Sequence, residues 1–392
     1  MNTRVLSLTA TTLALALVTV LGGCGTIKDT YNSWFGASVP AAKPAELVQI
    51  RATVTPKISW QSTVGAAEKT VFFPSVSGNT VWVTGANGQI AAFTANSGAV
   101  ITRFDAGQRI ASGVAVGGTL VAVGTARGEL LAFSNTGKAL WKAQMPGEIL
   151  APPAVGGDLV VARSGDGTIY GFDAASGKRR WVYQRATPTL SVRSHAGVVI
   201  DRGMVFGGFP GGRLVAIATT NGGAVWDGIV ALPKGTTELE RVADITSFPV
   251  VDEVRACAVA YQGRVACFDA VRGSAIWGRD VSSFSGMAAD NRNLYVTDYK
   301  NAVVALDKTN GSSVWKQDRL AGRGVSRPLA LGRFVIVGDY QGYVHLLSRD
   351  DGSFAGRIAT DGSQIAAAPV ALDISTFLVQ TRNGGVFAIT VQ

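Results

Sequence analysis

The sequence predicts an all-β fold: an eight-bladed β-propeller whose ring is closed by an N-terminal strand that completes the last blade. Three observations predict it. First, a glycine recurs at positions 98, 137, 177, 222, 273, 311 and 352, at spacings of 39, 40, 45, 51, 38 and 41 residues. Second, short alternating apolar runs bounded by Gly and Asp lie between these positions, among them Thr80–Thr84, Leu159–Ala162 and Phe334–Val337. Such runs are the signature of strands, and about four of them per period make one propeller blade. Third, Gly384–Ile389 opens a further repeat that lacks its last strand, whereas Lys57-Ile-Ser-Trp60 near the start has the form of that missing strand. A seven-bladed ring with a stray C-terminal hairpin is the alternative.

Composition agrees with this class. The chain has 392 residues, 47% hydrophobic and 16% charged, with 48 glycines. Glycine is nearly double its usual share of about 7%, and charge is depleted against about 25%. The glycines do not fall at every third position, which excludes collagen, and the apolar content is too high for a disordered chain. The net charge of +9 is spread thinly, with no run of five like charges, so no nucleic-acid partner is expected.

Taken in chain order, residues 1–23 form a signal peptide. They carry one charge, Arg4, before the apolar stretch Val5–Leu21, which is short and soft for a spanning helix. The stretch ends in Leu21-Gly22-Gly23-Cys24, which resembles the bacterial lipoprotein signal. That resemblance implies that Cys24 becomes the lipidated first residue, with more than one acyl chain for stable anchoring. Gly25 stands where lipoproteins kept in the inner membrane carry Asp, which implies the outer membrane. Residues 24–50, with Pro40 and Pro44, are expected to form a lipidated tether, and residues 51–392 the propeller.

Within the propeller one frame repeats. It is clearest in Gly165–Trp181, Gln262–Trp277 and Asn301–Trp315, is followed by Gly128–Trp141 and Gly212–Trp226, and is weaker in Gly88–Thr102 and Gly342–Gly356. The first glycine makes a hairpin turn that needs positive φ. Phe172 and its equivalents are expected between blades, and the second glycine turns the chain into the last strand. The Trp four residues later is a large anchor for the adjacent blade. All of this is architecture and says nothing about chemistry.

Candidates for chemistry are few. The two histidines, His195 and His345, sit in no catalytic motif and are expected as loop or barrel side chains. The three cysteines, Cys24, Cys257 and Cys267, form no CxxC or Cys/His pair, so no metal site is expected. Cys257 and Cys267 flank the turn at Gln262-Gly263. Directly opposed they could bridge, but a one-residue register change would separate them as two buried thiols.

The Asp-x-x-x-Gly-x-x-x-Trp frame, as in Asp173–Trp181 and Asp269–Trp277, resembles the repeat of pyrroloquinoline-quinone (PQQ) propellers. Within that group the chain resembles the BamB family, the lipoprotein subunit of the outer-membrane β-barrel assembly machine, rather than the quinoprotein dehydrogenases. The lipoprotein signal and the size fit BamB, and the adjacent Cys-Cys pair of quinoprotein alcohol dehydrogenases is missing. Two stretches, Leu190-Ser-Val-Arg193 and Thr237–Asp244, look like BamB signatures.

The resemblance implies a non-enzymatic scaffold without cofactor, lipid-anchored at the outer membrane and facing the periplasm. It would bind BamA through the POTRA domains, join the rest of that complex and possess a surface open to unfolded outer-membrane proteins. Leu190 and Val192 would be apolar anchors and Arg193 a bidentate donor. Glu238, Glu240, Arg241 and Asp244 would add polar contacts. From the residues alone, these loop charges could equally pair with each other on a solvated turn, and Leu190 could be a packed blade residue. The alternatives in function are a periplasmic ligand-binding propeller and a PQQ-dependent oxidoreductase. The latter needs a calcium-binding Glu/Asn/Asp set that cannot be assembled from these motifs.

Overall fold

The computed structural model describes residues 44–391. The signal peptide, Cys24 and the tether as far as residue 43 lie outside them. Eight four-stranded antiparallel sheets follow one another. Blades 1 to 7 span Ser75–Asp105, Ala115–Gln144, Ala154–Tyr183, Val198–Ile229, Val250–Arg279, Gly286–Gln317 and Leu329–Ala359. Blade 8 takes three strands from Val370–Val391 and its outermost strand from Pro56–Thr63. That closing strand runs from Pro56 opposite Val391 to Thr63 opposite Gly385. The expected closure is therefore present, and the ring has eight blades rather than seven.

Strand composition follows position in the blade. Second and third strands, such as Thr80–Thr84 and Gln89–Thr94, are buried almost throughout, because neighbouring blades cover both faces. The outermost strand Val100–Asp105 alternates between exposed and half-buried residues. The core is accordingly a circle of interfaces. Each of eight apolar clusters draws on two adjacent blades. Phe206 and Trp226 of blade 4, for example, pack with Phe268 of blade 5.

One contact recurs around the ring. The indole N–H groups of Trp60, Trp141, Trp181, Trp226, Trp277 and Trp315 donate to the carbonyls of Ala95, Ala174, Thr219, Ala270, Lys308 and Arg349, over 2.7–3.1 Å. Each acceptor lies three residues before the turn glycine of the next blade. Those glycines, from Gly98 to Gly352, adopt φ of 69° to 74°. A Cβ on any of them would come within 2.4–2.9 Å of the Trp. Blade 1 lacks the Trp, and its Phe104 lies against Gly137 instead.

The seam between blades 7 and 8 is built differently. Gly356 stands where other blades carry Trp, and a Cβ there would meet the Val54 carbonyl at 2.9 Å. The backbone of Thr53 and Val54 donates to the Ala355 carbonyl, Arg357 donates to Val48 O, and Arg323 donates to Ala45 O. Residues 45–54 are thus bonded along blade 7. Behind them Arg323 forks onto buried Asp339 at 2.7 and 2.9 Å. His345 donates Nε2–H to the same carboxylate and accepts from Arg357 at Nδ1. Burial pushes the His345 pKa down, so this barrel histidine is a neutral structural link.

Cys257 and Cys267 are directly opposite each other in blade 5, 4.1 Å apart at Cα, and their sulfurs are bonded. The register that the sequence left open is the one that allows the bridge.

Two substitutions test the Trp–Gly contact. Gly273→Ala must adopt positive φ and push into Trp226, and is expected to cost about 2–4 kcal/mol. Gly118→Ala, at φ 60° with nothing within 4 Å, should cost only about 1–2 kcal/mol for the left-handed backbone. Urea unfolding of both variants measures the difference, and equal costs would refute the contact's role.

Candidate functional site

In a blade of four antiparallel strands, the turns between strands one and two and between three and four lie on one face of the ring. The turns between strands two and three lie on the other, together with the links from one blade to the next. This second face is called the front. The links at residues 145–153, 184–197 and 230–249 join blades 2 to 3, 3 to 4 and 4 to 5, so all three emerge on the front beside one another. The wide glycine spacings of 45 and 51 residues reflect these longer links. Topology thus brings the Leu190–Arg193 stretch next to Thr237–Asp244.

Asp244 joins them. It is 2% exposed, and its carboxylate accepts from the backbone N–H of Val192 at 2.6 Å and of Gly211 at 2.9 Å. The sequence reading made Asp244 a surface contact; the structure gives it an inward role, holding the 184–197 link against a turn of blade 4. The adjacent Ile245 N donates to Phe209 O and Tyr261 N donates to Asp244 O, which fixes the end of the 230–249 link.

Arg193 is exposed, yet its guanidinium is already paired. Nε and Nη2 each lie 2.7 Å from an oxygen of Glu148, a fork-on-fork geometry. The bond to Glu148 raises the Arg193 pKa. Glu148 belongs to the link before blade 3, so this pair ties a third loop into the group. Arg163 supports it from below: its Nη1 donates to Ala196 O, its guanidinium lies 5.5 Å from the Phe209 ring, and burial lowers its pKa to about 10. Glu148, Arg163, Val192, Arg193 and Asp244 enclose only about 30 Å³, room for a water molecule or two. The arrangement is a surface, not a ligand pocket.

The other expected residues divide. Leu190 is 43% exposed and is not a packed blade residue; Val192 is half-buried. Glu238 and Arg241 are exposed. Glu240 turns back on its own loop, accepting from Thr236 N at 2.9 Å and Thr237 N at 3.1 Å, and these bonds hold its pKa low. It shapes the loop instead of reaching outward. Sequence reasoning missed Glu148, together with Leu232 and Leu239, which are 62% and 71% exposed. Leucines inside a charged loop were the available signal for the last two. Among the described residues no three His, Cys, Asp or Glu side chains gather closely enough to hold a metal.

Comparison with known proteins gives concordant results. The family described as "Outer membrane protein assembly factor BamB" matches residues 86–317. An outer membrane protein assembly factor BamB from Nitrosomonas eutropha is 41% identical over 96% of this chain and 94% of its own. Its counterpart from Burkholderia pseudomallei is 38% identical over 95% of both chains. Among solved structures, BamB from Moraxella catarrhalis superposes with a TM-score of 0.75 at 26% identity, covering 86% of this chain and 99% of that one.

The front face carries a pH signature. Burial, and secondarily Arg193, lower the His195 pKa to about 4 from 6.5, with Glu148 opposing. A base that resists protonation when folded leaves stability untouched above pH 6.5 and reduces it as pH falls from 6.5 towards 4. The loss is at most about 3 kcal/mol. His195→Gln should therefore lose less stability than the parent chain between these two pH values. Parallel denaturation curves at both would contradict the assignment.

Proposed function

The chain belongs to the BamB family of outer membrane protein assembly factors, and on that premise we propose that it docks BamA with the front face of blades 3 to 5. It is a non-enzymatic factor in the assembly of β-barrel proteins of the outer membrane. In this reading Cys24 carries the lipid that keeps the ring at the membrane, and the POTRA domains of BamA are the docked partner.

The observation that supports the docking face most strongly is the ordering of Arg193. A long side chain usually loses rotamer freedom on binding. Here Glu148 and Asp244 have already fixed both the guanidinium and the loop that bears it. The remaining N–H groups of Arg193 stay available to a partner carboxylate or carbonyl. Beside it, Leu190, Leu232 and Leu239 are exposed on loops of the same face, as apolar anchors of an interface are before binding. Glu238 and Arg241 supply its polar rim. A rigid patch of this kind binds with little rearrangement.

A pull-down of the purified POTRA segment by the mature chain tests this. Arg193→Glu opposes Glu148 and reverses the presented charge, and should weaken capture about 30-fold or more, the scale of a hot-spot residue. Arg292→Glu, the same reversal on a back-face turn, should leave capture unchanged. A folded Arg193→Glu chain that captures BamA normally would overturn the reading. Asp244→Ala should also lose capture, because the Val192 and Gly211 amides lose their shared acceptor.

A further inference from the structure

We propose that the front mouth of the central channel is a binding site for a small aromatic carboxylate, with Arg327 as its counter-ion. The site shares the inner ends of the 184–197 and 230–249 links, through His195 and Ser247, but neither Arg193 nor Glu148 lines it, and it stands whether or not the docking reading holds. A cavity of about 290 Å³ opens there, walled by Phe73, Ser247, Phe248, Phe284, Arg327 and Arg382 among others.

Three polar groups of this cavity, on Arg327, Ser247 and His195, are left short of partners. Arg327 makes one hydrogen bond, from Nε to the Met287 carbonyl at 2.6 Å, and among the described residues it has no carboxylate within ion-pair distance. Burial alone lowers its pKa to about 10, with no acid opposing the shift. One carboxylate lines the cavity, that of Asp298, and it is engaged elsewhere. Its Oδ1 accepts from Lys300 N and Ala302 N, and its Oδ2 lies 3.4 Å from Lys316 Nζ. Ser247 is 5% exposed, and its hydroxyl has no hydrogen-bond partner. The Nε2 of His195, on the same lining, is also buried and unpartnered. Native proteins rarely leave buried polar atoms unpaired without a reason such as a missing ligand.

The walls specify the rest of the ligand. The Arg327 guanidinium lies 5.6 Å from the Phe248 ring, and Phe248 meets Phe73 edge to face at 5.3 Å. Phe284 stands 49% exposed. A site with one half-buried guanidinium, a buried hydroxyl and aromatic walls favours a single negative charge on a flat apolar body. A sugar would require many more paired donors and acceptors, and a polyanion a second enclosed cation, whereas Arg382, the other arginine on the lining, is exposed. Gly286, at φ 107°, lets Ser247 and Arg327 share this space, because a Cβ there would meet the Ser247 side chain at 2.6 Å and Arg327 Cδ at 3.6 Å.

Fluorine NMR titration of the mature chain with para-fluorobenzoate, and with para-fluorobenzamide as the uncharged analogue, tests the proposal. The acid should bind saturably, and the amide at least about tenfold weaker, a difference of one decade in Kd. Arg327→Gln should weaken the acid by a similar factor and Arg327→Lys should restore most of it. Ser247→Ala removes one hydroxyl and gives a second readout should Arg327→Gln fold poorly; it should weaken the acid several-fold. Three results would each overturn the proposal: no saturation by about 10 mM, equal binding of acid and amide, or binding indifferent to both Arg327→Gln and Ser247→Ala. Competition by inorganic phosphate as strong as that by the acid would overturn the aromatic part of the assignment.

Discussion

Six of the eight blade junctions depend on an indole laid across a glycine. The glycine must hold positive φ, and a Cβ on it would strike the neighbouring Trp at 2.4–2.9 Å, so two independent demands exclude every other residue. The indole N–H then bonds a carbonyl three residues earlier, which fixes how far each blade is rotated from the last. Stability in such a ring is a sum over neighbouring pairs, and a ring has no terminal pair only if it closes. Trp60 closes it, lying on the same strand that completes blade 8 and reaching Gly98 of blade 1. Only the broken blade cannot offer a turn glycine, and at that seam Gly356 admits the N-terminal segment in place of a Trp.

A ring fixed in this way sets where variation can occur. The strands are committed to packing on both sides, so added residues collect in the links between blades, all of them on the front. The links at 184–197 and 230–249 are long, yet they are not loose. Asp244 holds one to the ring, Glu240 shapes the other, and Glu148 holds Arg193 in place. The electrostatics serve the same purpose: an exposed arginine is worth little as a surface ion pair, but a forked one on a pinned loop is already ordered for a partner.

The ring was legible in the sequence because its rules are local and repeated. The Asp, Gly and Trp of one frame lie within nine residues, and the orphan strand around Trp60 announced the closure. The Cys257–Cys267 bridge was legible only to within one register step, since a single shift would have turned one thiol to the other face. The site was less legible because its contacts are not local. Glu148 is 45 residues from Arg193 and in a different blade, so nothing near either residue marks the pair. Asp244 and Glu240 look alike as loop acids; burial of one and self-capping by the other emerge only once the loops are folded. That Arg327 meets no carboxylate and Ser247 no hydrogen-bond partner among the described residues depends on segments of several blades meeting at the channel mouth, which no spacing encodes.

The central claim, that the front of blades 3 to 5 is the face that meets BamA, is tested most directly by site-specific photocrosslinking in intact envelopes. A photoreactive residue would be placed at Leu190 and at Leu239 on the front, and at Arg292 and at Thr309 on the back. Adducts with BamA from the two front positions and none from the back are the predicted result. BamA adducts from the back positions with none from Leu190 or Leu239 would contradict it.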